Sequence, residues 1–337
     1  MNARIEVNRT SPITTRLFYA ERPMSDRQPH NDAAALPRIL VLVGPTAVGK
    51  TALSIELGQR YDAEIVNADS RLFYRGMDIG TAKPSAGQLA LVPHHLIDFL
   101  EPADPISLAT VQDMAFAAID DVIHRGKLPI LVGGTPQYVN AIVENWQIPR
   151  VEPNPELRAQ LEAEERAKPG TLYVRLEQID PEAEKHRGNV RRIIRALEVY
   201  EATGQPISAL QGKGAPRYDA LELELWRPRA ELHKRIDNRA YEQIEQGLIT
   251  EITTLLDAGV DPASPSFSSI GYRQLVPYIR GEISLDEAIA RIQFDCHRLV
   301  RHQETWWRKN PRLLRIDLEQ PDALTTLHQE IESFLSR

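Results

Sequence analysis

Apolar residues along the first half of the chain switch between two spacings. Ile39-Leu40-Val41-Leu42-Val43 is an unbroken apolar run, which predicts a strand buried on both faces. A helical pattern follows from Ala52 to Tyr61. A second strand is expected over Glu64–Ala68 and a third over His95–Leu100. Leu108, Val111, Ala115, Ile119 and Val122 then recur on one helical face, ahead of a fourth strand over Pro129–Val132. Strand and helix in alternation imply a parallel sheet with helices on both faces. Ligands of such sheets sit at the carboxyl ends of the strands.

The pattern changes after Pro149. Residues 150 to 210 are polar and helical, with no convincing strand. Asn154-Pro155 and Asp180-Pro181 each read as a cap followed by proline in a first helical turn. Asn189 caps a further helix that Gly204 ends. Val190, Ile193, Ile194 and Leu197 form its buried stripe, and Arg191, Arg192 and Arg195 lie on the other side. The α/β pattern then returns. Leu221–Leu225 alternates like a two-faced strand, and a charged helix runs from about Arg229 to Ala258 with a break near Gly247. Ser284 and Glu287 predict a capping box opening a long helix to Trp307. Leu313–Ile316 is the last strand, and a final helix follows. The expected domains are a disordered leader over 1–37, a core in two parts (38–149 and 211–337), and an all-helical insertion over 150–210.

Composition changes this picture little. The 337 residues are 42% hydrophobic and 26% charged, as in ordinary globular chains. No apolar run approaches the roughly 18 residues of a membrane span. Cys296 is the single cysteine, which excludes a disulfide within the chain and points to a reducing cytoplasm. No leftover apolar stripe argues for more than a monomer. A net charge of −7 disfavours non-specific coating of nucleic acid but leaves room for a local basic face. Such a face is available between Lys185 and Arg195, which hold five Lys/Arg and no Asp/Glu. Met24 offers an alternative start within the leader. His94 and His95 lack a spaced third ligand, which disfavours a metal there.

The chemistry is concentrated in Gly44-Pro45-Thr46-Ala47-Val48-Gly49-Lys50-Thr51. These residues follow the pattern of a phosphate-binding loop, with a strand before and a helix after. Backbone N–H groups in such a loop wrap a di- or triphosphate, Lys50 neutralises it and the Thr51 hydroxyl ligates Mg²⁺. The fold class expected is therefore α/β, a P-loop NTPase-like parallel sheet with a small helical insertion. Asp69 stands at the next strand end, where a carboxylate either holds Mg²⁺ or accepts a proton from a nucleophile. Gly133-Gly134-Thr135 closes another strand. Its glycines permit close approach of a ligand, and the Thr135 hydroxyl either bonds a leaving-group oxygen or merely completes a turn.

Together with the loop, the run from Asp69 to Pro84 resembles the tRNA dimethylallyltransferase (tRNA isopentenyltransferase) family. The resemblance spans about residues 38 to 310. It includes Pro93–Asp98, Gly133–Tyr138, Arg195–Gly204 and Ile270–Gln274. It implies transfer of a dimethylallyl group from its diphosphate to the exocyclic amine of adenosine 37, in tRNAs reading codons that begin with U. It further implies Asp69 as general base and Thr135 on the bridging oxygen of the donor. The loop from Gly44 to Thr51, with Mg²⁺, would hold the diphosphate. The positions matching tRNA contacts are Asp69, Ser70, Arg71, Leu72, Thr135, Arg158, Arg191, Arg192, Ile193, Ile194, Arg195, Ser268, Ser269, Ile270, Gly271, Tyr272 and Arg273.

This chain departs from the family pattern in two places. Ser268-Ser269 stands where the family often has Gln or Arg, and Arg301-His302-Gln303-Glu304-Thr305-Trp306 replaces a Lys-Arg-Gln-x-Thr-Trp run. Other readings of the same loop are an AMP prenyltransferase, which the basic insertion disfavours, a small-metabolite kinase, and an RNA-binding nucleotide switch without catalysis.

Overall fold

The first strand is covered on both sides, as an unbroken apolar run requires. Leu40 and Leu42 enter one hydrophobic cluster, while Ile39, Val41 and Val43 enter another on the opposite face of the sheet. The chain, a computed structural model, is described over residues 35–337, and Leu36–Arg337 forms one unit. The expected leader, apart from residues 35–37, and Met24 lie outside the described residues.

The described residues contain eight strands: β1 (Arg38–Val43), β2 (Ala63–Asn67), β3 (His94–His95), β4 (Leu128–Gly133), β5 (Trp146–Gln147), β6 (Gly212–Lys213), β7 (Asp219–Trp226) and β8 (Leu314–Asp317). Six form a sheet in the order β3-β2-β4-β1-β7-β8, with every pair parallel. Val43 pairs with Gly133, and Asn67 with Val132, so the carboxyl ends of β1, β4 and β2 are level and adjacent. Three segments that are remote in sequence thereby share one rim.

Several expectations need correction. The third strand is only two residues long, because Leu96 and Asp98 adopt left-handed φ of 59° and 58° and turn the chain away. The polar positions of the two-faced β7, Glu222 and Glu224, are buried like its apolar ones. Asn310 and Arg312 satisfy Glu222 from about 90 positions away, and Arg315 donates to Glu224 Oε2 at 3.0 Å, while Glu224 Oε1 has no partner among the described residues. Val190 is 37% exposed and leaves the buried stripe at Ile193, Ile194 and Leu197. Ser284 caps its helix by accepting the Glu287 N–H. Glu287 does not return the bond and pairs instead with Arg291 at 2.7 Å.

The insertion has its own apolar cluster, including Leu161, Leu172, Leu176, Ile193, Leu197 and Ile207. Its longer helices are Pro155–Ala167, Thr171–Ile179 and Val190–Thr203. Asn154 and Asn189 cap the first and third by accepting the N–H of Leu157 and Arg192. Its stem is the antiparallel pair β5–β6, which the hydrophobic pattern did not disclose. The charged helix breaks at Gly247 (φ 102°) into Arg229–Glu245 and Leu248–Asp257. With helices Tyr272–Ile279 and Leu285–Trp307, these build a further cluster around Leu248, Ile252, Phe267, Tyr272 and Ile289.

Candidate active site at the carboxyl rim of the sheet

The loop after β1 leaves no room for side chains at its first turn. Gly44 has φ 146°, and a Cβ there would lie 2.6 Å from the Leu225 carbonyl oxygen. Gly49 (φ 115°) precedes helix Lys50–Arg60. Lys50 folds back over the loop, its Nζ donating to the carbonyls of Gly44 at 2.9 Å and Pro45 at 2.8 Å. Burial pushes its ammonium down to about 8, against the opposing pull of Asp69.

Asp69 caps the short turn Ser70–Phe73 by accepting the Arg71 N–H at 3.0 Å. Asn67 fixes that turn, accepting from the Asp69 N–H and donating to the Asp69 and Leu96 carbonyls. Gly133 packs against the residue just after β2, where a Cβ would lie 2.7 Å from the Ala68 oxygen. A Cβ on Gly134 would lie 3.0 Å from Gln303 Nε2, 3.5 Å from Lys50 Nζ and 3.6 Å from Asp69 Oδ2. Gly134 thus stands where an amide, an ammonium and a carboxylate converge, and a Cβ there would crowd the Gln303 amide. Thr135 begins helix Pro136–Val143, but its hydroxyl makes no capping bond and lines the adjoining cavity.

Two cavities meet here. One, of about 650 Å³, is lined by the loop, Asn67, Asp69 and the basic residues Lys234, Arg235 and Arg239. The other, of about 500 Å³, has Thr135 and Arg192 beside Ile236, Ile292, Leu299 and Trp306. Thr46, Lys50, Asp69, Thr81 and Arg239 belong to both. A polar, cationic chamber therefore opens into a partly apolar one across a carboxylate. This suits a ligand with a charged head and a hydrocarbon tail.

The IPP transferase family model matches residues 72–310. The chain is 49% identical over 303 residues to the tRNA dimethylallyltransferase of Roseiflexus sp. (strain RS-1), covering 88% of this chain and 99% of that one. This chain belongs to the tRNA dimethylallyltransferase family. Its members are prenyl transferases, and this chain is an enzyme of that class. A tRNA dimethylallyltransferase of Thermomicrobium roseum is 47% identical over 300 residues, covering 88% and 91%. The fold agrees with a tRNA isopentenylpyrophosphate transferase from Bacillus halodurans at a TM-score of 0.65 and 36% identity, covering 89% and 95%. It agrees with a eukaryotic dimethylallyltransferase acting on tRNA at a TM-score of 0.74 and 26% identity, covering 89% and 80%.

Arg239 is a residue of this candidate site that sequence reasoning missed. It lines both chambers and has no hydrogen bond or ion pair among the described residues. Burial lowers its pKa, while Cys296 and Asp69 act against that shift. An unpaired, desolvated guanidinium beside Lys50 calls for an anion. No signal in the sequence separates Arg239 from the other basic residues of helix Arg229–Glu245.

The sequence-predicted RNA contacts divide into classes. Ser70, Arg71, Ser268, Ile270 and Arg273 line the second chamber, and Arg71 donates to Ser268 Oγ at 3.1 Å. The Leu72 side chain lines the first chamber. Arg191 and Arg192 are exposed. Ile193, Ile194, Ser269, Gly271 and Tyr272 are buried, and the Tyr272 hydroxyl is held by Glu251 at 2.6 Å. Arg158 and Arg195 both pair with the buried Glu198, at 2.8 and 2.6 Å. His95 is likewise occupied, by Glu64 at 2.7 Å. Among the described residues no helix is long and apolar enough to cross a membrane.

Proposed function

We propose that the enzyme transfers a dimethylallyl group from dimethylallyl diphosphate to the exocyclic amine of adenosine 37, in tRNAs reading codons that begin with U. The observation that carries this reading is the meeting of a cationic chamber and a partly apolar chamber at Asp69. The diphosphate head occupies the loop Gly44–Thr51, with Lys50 and Arg239 on its charge. The five-carbon tail points into the chamber lined by Ile236, Ile292 and Leu299. The allylic carbon–oxygen bond breaks and its electron pair leaves on diphosphate. The adenine amine supplies the pair for the new nitrogen–carbon bond, and Asp69 takes the proton. Thr135 bonds the bridging oxygen. Preorganised donors at the departing charge are the larger contribution, because they act in a partly dry site and need little rearrangement.

The residues present fit a magnesium ion bound mainly by substrate. Among the described residues no group of three or more His, Cys, Asp or Glu is placed to hold a metal. Thr51 and Asp69 line the same cavity, so one hydroxyl and one carboxylate stand near the diphosphate site. This sparse set suits Mg²⁺, which keeps waters and takes phosphate oxygens. When bound, it adds to the charge neutralisation of the leaving diphosphate.

The target base is stacked in the anticodon loop and has to be turned out to reach Asp69. The insertion offers a grip for the surrounding backbone, with Arg191 and Arg192 free on its surface and Arg192 reaching the cavity mouth. Arg158 and Arg195 shape this grip through Glu198. The test is incubation with dimethylallyl diphosphate, Mg²⁺ and unmodified tRNA, followed by mass analysis of nucleosides. Prenylated adenosine at position 37 is expected. Product from free AMP alone, or phosphoryl transfer from ATP without a prenylated base, would overturn the reading.

A further inference from the structure

Gln303 is almost wholly buried and uses both ends of its amide. Its Oε1 accepts the Thr46 N–H at 3.0 Å, and its Nε2 donates to the Gly134 carbonyl at 2.6 Å. One partner lies in the loop after β1 and the other in the turn after β4. No backbone hydrogen bond joins those two segments beyond the strand pairing that ends at Val43–Gly133. The side chain is thus a direct tie between the loop carrying Lys50 and the turn carrying Thr135.

The helix that carries Gln303 is itself fixed. Ile292 packs in the helical cluster, Val300 in the cluster on one face of the sheet and Trp307 in the cluster on the other. Glu304, one residue on, is paired with Arg229. A side chain projecting from a helix anchored in three packed regions is a stationary reference, because close-packed interiors do not deform gradually. Both loops are measured against it.

We infer that Gln303 is a positioning residue that sets the separation between the phosphate-binding loop and Thr135. It thereby sets where the bridging oxygen of a bound donor lies relative to Thr135 and Asp69. The inference rests on the donor site proposed above. It predicts that Gln303 governs the bond-breaking step more than the capture of the donor. Capture depends on Lys50, Arg239 and the other loop N–H groups, whereas alignment of the reacting atoms depends on the distance between the loops.

Two variants test this. Gln303→Met keeps a similar volume and loses both hydrogen bonds. Gln303→Glu keeps the acceptor for Thr46 but turns an oxygen towards the Gly134 carbonyl, which only its neutral acid form satisfies. Single-turnover rate at saturating donor and tRNA is measured beside the Kd of a thio-analogue of dimethylallyl diphosphate. In Gln303→Met the rate is expected to fall about 10- to 100-fold while Kd changes less than about threefold. The rate of Gln303→Glu relative to the wild type is expected to rise as pH falls. A Gln303→Met rate within about twofold of wild type, a Kd loss as large as the rate loss, or a flat Gln303→Glu ratio across pH would overturn it. Failure of the wild-type protein to bind the analogue would sink the donor site itself, so the two failures are distinguishable.

Discussion

The sheet rim and the helical insertion both gather arginines and carboxylates, but they use them in opposite ways. In the insertion, Glu198 is buried and accepts from Arg158, Arg195 and the Asn154 N–H. Its pKa is held down by these donors against the cost of burial. At the rim, among the described residues, the Arg239 side chain has no partner, Lys50 is satisfied only by carbonyls of its own loop, and the Thr135 hydroxyl makes no capping bond. Desolvated charge without a partner costs stability, so a fold retains it where a ligand supplies the missing half. Saturated charge holds shape, and unsaturated charge awaits substrate.

The sharpest way to break this contrast is at Asp69. Asp69→Asn keeps an acceptor for the Arg71 N–H, so the local turn survives. Turnover is expected to fall about 10²- to 10⁴-fold, with donor-analogue affinity nearly unchanged. A near-normal rate would remove Asp69 as the base. Next in size is Glu198→Ala, which strands two guanidinium groups and a backbone N–H. It is expected to cost about 1–3 kcal/mol of stability, read as a lower Tm, without altering donor binding. An unchanged Tm would show that the insertion does not depend on this junction.

Lys50 gives a pH signature. Its ammonium is at about 8 before an anion arrives, and a diphosphate favours the charged form. Below that value the lysine is already protonated and adds no pH dependence of its own to the affinity for the thio-analogue. Above it, binding has to take up a proton, and affinity should fall by up to about tenfold per pH unit, or 1.4 kcal/mol. Calorimetry across pH 6.5–9.5 in buffers of different ionisation enthalpy checks this, and constant affinity would count against Lys50 on the diphosphate. The smallest effect distinguishes two arginines of the insertion. Arg192→Ala should reduce the salt slope of tRNA binding by about 0.7–0.9, the signature of one lost phosphate contact. Arg158→Ala should leave the slope in place and lower Tm instead. Equal slopes for both variants would erase the distinction between spent and free charge.

The rim was legible in the sequence because its parts are fixed by local backbone demands. A glycine that meets the Leu225 carbonyl, and another that meets Ala68, admit no substitute, so motif spacing carries the geometry. The same holds for the Asn154 and Asn189 caps and for the break at Gly247. What stayed hidden depends on partners distant in sequence. The burial of Glu222 and Glu224 is not visible in the alternation of Leu221–Leu225, because Arg312 and Arg315 arrive about 90 residues later. Arg239 looked like one basic residue among many until helix packing turned it into the cavity. That Arg158 and Arg195 share Glu198 is hidden in the sequence, because Arg158 comes from a different helix. The short β3 escaped because Leu96 and Asp98 adopt a conformation that side-chain type does not signal.

The stem of the insertion has a consequence for how this architecture can change. Gln147 and Gly212 face each other across the β5–β6 ladder, so the polypeptide departs and returns at neighbouring points. Everything between them is, in effect, a cassette. A tight two-residue reverse turn such as Asn-Gly could bridge the gap without shifting the sheet, leaving a stripped scaffold that keeps the rim loops and lacks Arg192 at the second cavity. On the proposed reading, in which this arm grips the tRNA, grafting another at the same junction would offer the rim a different acceptor.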